Sequence, residues 1–420
     1  MIKRKKQVLS IVLAIFLTAV VNVLLLHTFL PQKEPVQMNS ESKLPYGNYL
    51  PDSDNPLIRV VIKTNGFAQI THSEVKIQAN GENIVIRPDD DRFQHGSIRI
   101  EPSTDEERIQ ILSLNRGYGV PSYKGVIELY KTAEGIVIVN ELPVEEYLCA
   151  VVPSEMPASY NKEALKCQAV CARSYAYCQM KSFAYPEYEA HVDDSVSFQV
   201  YGNSKEQDST NQAIKETTGQ KLWFNKEVVK TYYYSTSCGE STSVEAWGSK
   251  LTEGNQYLKG VSICNEKGED YEADLPWYKW KANIPQTTLQ NLIELNMKQE
   301  IGTLENVTVS KRGIGGIAQA LVIQGSKNQF VIETENKIRT TLGGSGYTIE
   351  KQDGNIVNST KLLPSAFFSI AKIGENYIIE GGGYGHGIGL SQNGANKMAE
   401  TGMTYEDILT FFYPGTKVKI

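Results

Sequence analysis

The sequence predicts an α+β protein: a β-rich body, a long helix beside an active-site turn, and an inserted α/β subdomain. Three observations carry this. Alternating apolar and polar residues recur in short runs between 58 and 142, and a pattern of helical period runs unbroken over 162–181. The C-terminal stretch then passes from a strand through a glycine-rich loop into a helix. At 420 residues the chain can bury a substantial core and has room for two folding units.

Taken in order, Lys3, Arg4, Lys5 and Lys6 precede an apolar run at 7–30. At about 1.5 Å per residue, that run crosses a hydrocarbon core of about 30 Å. The basic flank stays inside, so residues 1–31 are expected to form an uncleaved, single-pass anchor in the cell membrane, with the remainder extracytoplasmic. A cleaved signal peptide is the rival, but it has a shorter apolar core and a small-residue cleavage site. Asn22, His27 and Leu30-Pro31 fit such a site poorly. Residues 32–56 are polar, proline-punctuated and aperiodic, and read as a linker.

Strands are expected at 58–63, 75–79, 83–87, 97–101, 109–114, 125–131 and 135–142, making 57–141 a β-rich N-terminal part. Asn80-Gly81 signals a hairpin between the second and third. Residues 142–420 form the next region, with an insertion at about 275–351 that holds LPWYKWKANI, a helical pattern near 286–300 and further strands. Asn161 is the expected N-cap of the helix at 162–181. Leu165, Ala169, Ala172 and Ala176 form one of its buried faces. Strands return at 223–235, and the chain closes with a strand at 377–380, the glycine loop and a helix from 391 to about 401.

The formal charge is −6, and more acidic once the flank is set aside. That argues against nucleic acid as a partner, which needs a basic stripe. Of six cysteines, Cys167, Cys171 and Cys178 share one face of the long helix. Strung along one helix they cannot converge on an ion, even with His191 as a fourth ligand, so no metal or cofactor is expected. They read instead as small apolar residues that allow close packing. Cys238 and Cys264 are candidates for a disulfide outside the membrane, though spacing alone does not settle pairing. His191, Asp193 and Asp194 make only a weak metal pattern.

Glu155 stands between Pro153 and Pro157. Both prolines restrict the backbone, so a short rigid turn is expected there, not a helix face. A carboxylate held this way suits acid/base chemistry, which depends on fixed geometry. The plainer reading is an acidic residue complementing a helix dipole. Glu145 and Glu146 read better as a helix N-terminal pair, and Glu163 as a dipole residue opening the long helix.

Three ordered blocks then carry a resemblance. They are LPVEEYLCAVVPSEMPASYNKEALKCQAVCARSYAYCQM at 142–180, YYYSTSCGESTSVEAWG at 232–248, and GGGYGHGIGLSQNGANKMAETGMTYEDILTFFYPGTKV at 381–418. Together they resemble the stage II sporulation protein D family, which also includes the amidase-enhancer (LytB) proteins. In that family the glutamate of the P-S-E-M-P turn is the catalytic acid, and Glu155 is its match. The pattern E-A-L-K-x-Q-A-V-x-A-R implies that Lys166, Gln168 and Arg173 lie near the groove, with Cys167 and Cys171 where alanine is usual. On its own chemistry, Arg173 is either a ligand for the lactyl carboxylate of a muramic acid or the ion-pair partner of Glu155 or another acid.

Alternation along the tyrosine run puts hydroxyls on one strand face. Tyr234, Ser235 and Ser237, with Trp247, then make either a sugar-stacking groove wall or an ordinary strand. The match to G-x-G-H-G-x-G-x-S-Q assigns His386, Ser391 and Gln392 to the groove. The loop is not a phosphate cradle, because no G-K-[ST] follows, and no serine sits on a nucleophile elbow.

The resemblance implies a peptidoglycan lytic transglycosylase acting on MurNAc-GlcNAc bonds of strands stripped of stem peptides. It further implies a wall amidase/endopeptidase partner, in remodelling during sporulation engulfment. One carboxyl suffices for that reaction, provided burial raises its pKa; Val151, Val152, Met156 and Pro157 are the expected apolar surround. Two other readings remain: a non-catalytic enhancer that binds glycan and stimulates an amidase, and a two-carboxylate hydrolase with Asp193, Asp194 or Glu240 as second acid.

Overall fold

The alternating runs of the N-terminal part become two sheets around one core. In the first, Leu57–Ile62 lies antiparallel to Gly135–Pro143, followed by Val126–Thr132 and Ile98–Ile100. Val192–Asp193 adds to the outer side of Leu57–Ile62 in parallel. The second has the order Glu82–Ile86, Val75–Ala79, Ile109–Ile111, Ser122–Tyr123. Asn80 and Gly81 close the expected hairpin with φ of 53° and 75°, the pair of left-handed residues that a tight primed turn requires. Gly135–Pro143 is buried along nearly its whole length, because apolar residues cover both of its faces. This computed structural model describes residues 55–420; the anchor expected at 1–31 and nearly all of the linker expected at 32–56 lie outside the described residues.

Seven α-helices follow among the described residues: α1 Val144–Glu155, α2 Lys162–Gln179, α3 Asp208–Glu216, α4 Gln286–Met297, α5 Glu335–Leu342, α6 Gln392–Glu400 and α7 Tyr405–Phe412. Strands and helices mix in several sheets, as an α+β chain requires. The helix α2 is buried on two sides. Ala169, Ala172 and Ala176 face the core of the N-terminal sheets, while Cys167, Cys171 and Leu165 face a second core shared with α6, α7 and the later sheets. Leu165 therefore sides with the cysteines, not with the alanines as expected. Small residues on both faces let α2 lie close to each neighbour. All six cysteines are free thiols, so Cys238 and Cys264 form no disulfide.

The elements expected as an insertion are tied into the rest. Trp280–Pro285 is the middle strand of a five-stranded sheet ordered Ile356–Asn358, Thr348–Lys351, Trp280–Pro285, Asn376–Gly381, Phe368–Ile373. That sheet runs past residue 351 and delivers the chain directly into the glycine loop. A separate three-stranded sheet, Leu304–Arg312, Ala318–Gly325 and Gln329–Glu333, carries the chain into α5.

Candidate functional site

Glu155 is the last residue of α1, not part of a turn as expected. Pro153 lies inside the last turn of α1, where it removes one i→i−4 hydrogen bond and its ring crowds the Cys149 carbonyl, which weakens the helix just before its end. Pro157 acts on Met156, which is extended at φ −132° and ψ 136° and ends the helix. The prolines therefore place Glu155 at a sharp helix end. Glu145 and Glu146 occupy the first turn of α1, and Asn161 caps α2 by accepting the Glu163 N–H at 3.0 Å.

The Glu155 side chain is half-buried at one wall of a cavity of about 610 Å³. Its Oε1 accepts the backbone N–H of Val200 at 2.6 Å, and the Tyr233 hydroxyl also hydrogen-bonds the carboxyl. Burial raises its pKa to about 7, against the lowering by those two hydrogen bonds. From behind, Gln392 Nε2 donates to the Glu155 backbone carbonyl at 3.0 Å and to Gln168 Oε1 at 3.2 Å. The helix end is thus pinned from both sides.

Aromatic rings line much of the cavity. Tyr175 meets Tyr232 edge-on at 6.2 Å, Tyr232 meets Trp247 at 4.7 Å, and Trp247 meets His386 at 5.0 Å. Tyr234 lies 5.7 Å beyond His386. Such faces and edges suit the apolar face of a sugar ring. The glycine loop can press against this wall because Leu390–Ser391 pairs in parallel with Tyr233–Tyr234. His386 Nδ1 accepts the Ile388 N–H at 3.1 Å. Burial first, and then the charge of Arg339, lower its pKa to about 3, so the ring is neutral at pH 7 and serves as part of the wall.

Of the expected site residues, Glu155, Tyr234, Ser235, Trp247, His386 and Gln392 line this one cavity. Five others sit elsewhere. Lys166 pairs with Glu163 at 2.8 Å and Glu216 at 3.0 Å on the far side of α2. Arg173 is fully buried and grips Glu145, the other acid left open by its chemistry, and does not touch Glu155. Gln168 lies buried behind Gln392. Ser237 and Ser391 both donate to Glu272, Ser391 at 2.8 Å, and clamp the tyrosine strand to the glycine loop. Burial raises the pKa of Glu272 to about 7, opposed by the hydrogen bonds from these serines. Asp193, Asp194 and Glu240 do not line the cavity. Asp194 is paired with Arg116 at 2.6 Å, and Asp193 accepts from Tyr185 at 2.6 Å.

Several lining residues escaped sequence reasoning. Tyr233, next to the chosen Tyr234, is the tyrosine that reaches Glu155; adjacent strand residues face opposite ways, and no sequence signal fixes the parity. Val200, which does not line the cavity, reaches Glu155 through its backbone N–H. Glu335, Asn336 and Arg339 enter from α5 inside the expected insertion, far from any recognised block. A second cavity, about 700 Å³ and bordered by Tyr278, Lys279, Lys281 and Lys351, holds no buried carboxyl.

Residues 132–224, which carry α1 and α2, match the model of the stage II sporulation protein family, and residues 250–389 match a domain of unknown function (DUF8618). The chain is 28% identical over 346 residues to stage II sporulation protein D of Bacillus subtilis (strain 168), covering 78% of this chain and 89% of that protein. It is 29% identical over 291 residues to the amidase enhancer of Bacillus subtilis (strain 168), covering 64% of this chain but only 40% of that protein. Over 309 residues it is 29% identical to stage II sporulation protein D of Bacillus amyloliquefaciens, covering 70% and 78%. The chain is thus similar, over 64% to 78% of its length, to stage II sporulation protein D and to the amidase enhancer.

Proposed function

We propose that this protein is a lytic transglycosylase of peptidoglycan, anchored in the membrane by residues 1–31 and acting outside the cell on glycan strands, with Glu155 as its single acid/base. The supporting observation is a half-buried carboxyl with its pKa near 7, set in an aromatic-lined cavity with no second available acid. Among the described lining residues the other carboxyl is Glu335, and it is held by Arg339 at 2.7 Å and Trp247 at 3.2 Å. An inverting or retaining hydrolase needs a second working carboxylate; ring closure does not.

The protonated Glu155 gives its proton to the glycosidic oxygen as the bond from that oxygen to C1 breaks. The resulting carboxylate then takes the proton of the C6 hydroxyl while O6 bonds to C1, which yields a 1,6-anhydro sugar and restores the acid. No water is consumed. A carboxyl titrating near 7 performs both halves at neutral pH. The natural setting of the family's named members points to wall remodelling in sporulation, beside a wall amidase or endopeptidase.

The test is digestion of peptide-free glycan strands by the full chain and by its Glu155→Gln variant, with product masses read. Anhydro ends from the parent and at least a hundredfold less product from the variant are expected. Products heavier by one water, or an undiminished variant, refute the assignment. The similarity to an amidase enhancer favours one alternative: a protein that binds strands and stimulates a separate amidase. Binding without fragment release by the parent would select it.

A further inference from the structure

Arg339 lines the cavity from α5, within the region matched only by the domain of unknown function. It is 8% exposed, and among the described lining residues it is the one lysine or arginine. Its Nε donates to the Leu363 carbonyl at 2.8 Å, and Nη1 donates to Glu335 Oε1 at 2.7 Å. Glu335 is 1% exposed and is gripped in turn by Trp247 Nε1. A guanidinium has five N–H donors in a planar fork, so these bonds leave the Nη2 pair unspent. A rigidly held fork of this kind matches a carboxylate bidentately. Arg173, the other arginine considered for such a role, has its Nε and Nη2 committed to Glu145.

We propose that Arg339, fixed by Glu335 and Leu363, is the specificity element of the groove and binds a free carboxylate carried on the sugar polymer. The inference rests on the glycan-cleaving or glycan-binding reading above. Its chemical content is narrower: the ligand is an N-acetylated hexosamine strand bearing a carboxyl ether side chain, and the carboxylate must be neither amidated nor esterified. The local positive charge is offset by Glu335, so recognition depends on hydrogen-bond geometry more than on long-range attraction. Because Arg339 also reaches His386 electrostatically, one side chain links the glycine loop to the α5 wall.

The test compares binding of the full chain to peptide-free glycan strands before and after methyl esterification of their carboxyls, and to a neutral N-acetylglucosamine oligomer. The parent is expected to bind the free-acid strand at least about tenfold more tightly than the esterified one. In Arg339→Lys, which keeps the charge but not the fork, that ratio is expected to fall toward one. A parent indifferent to esterification overturns the inference without any variant, as does an Arg339→Lys protein with the parent's ratio. A parent that binds no glycan at all overturns the functional reading as well, which separates the two failures.

Discussion

Arg173 holds Glu145 in a two-pronged ion pair, with Nε to Oε1 at 2.6 Å and Nη2 to Oε2 at 2.7 Å. Glu145 opens α1 and Arg173 sits midway along α2, so this pair sets how the helix that ends in Glu155 lies against the long helix. Arg173 Nη1 also donates to the Gln220 carbonyl at 3.1 Å, bringing in the chain beyond α3. The arginine thus acts on the site at a distance, through the angle of α1.

Removing one partner of such a pair leaves an uncompensated charge. Arg173→Met is expected to lower unfolding stability by about 3 kcal/mol, and the double variant with Glu145→Gln to recover part of that loss. Urea unfolding of the two variants and the parent checks it. A single variant as stable as the parent would show that the pair does not hold the helices.

Tyr233 and Glu155 set the working pH. The folded Glu155 titrates near 7, above its ordinary value of 4.5, so the acid form that begins the proposed reaction is lost as pH rises through about 7. The same shift makes the stability contribution of Glu155 complete below about 4.5 and lost on passing upward through about 7. The Tyr233 hydroxyl favours the carboxylate and opposes burial. Tyr233→Phe is therefore expected to move the alkaline limb of the kcat/KM profile to higher pH. A limb that stays in place or moves down contradicts the contact.

Gly389 adopts φ +78°, and a Cβ there would stand 2.0 Å from the Tyr232 carbonyl oxygen. Gly389→Ala is expected to cost at least about 2 kcal/mol through strain and displacement of the tyrosine strand. Denaturant unfolding measures the loss. Since Leu390–Ser391 pairs with Tyr233–Tyr234, glycan binding should weaken along with stability.

Local patterning made a large part of this architecture legible. The strands at 75–79 and 135–143, the turn at Asn80-Gly81 and the cap at Asn161 follow from periodicity, left-handed backbone preference and side-chain capping, all of which operate within a few residues. Glu155 itself stands out in the sequence because prolines act on their immediate neighbours. The same locality misjudged its setting, since Pro157 terminates α1 one residue later and leaves Glu155 helical.

What only the tertiary structure decided is which distant groups meet. Tyr233 and not Tyr234 reaches Glu155, Arg173 spends its donors on Glu145, and Ser237 and Ser391 are drawn to Glu272. Arg339 arrives at the groove from a segment with no recognisable signature. Side-chain type and spacing state what a residue can bond to; strand parity, helix crossing and competition among buried partners choose which bond is made. Those choices depend on contacts between residues from 28 to 119 positions apart, and no local pattern encodes them.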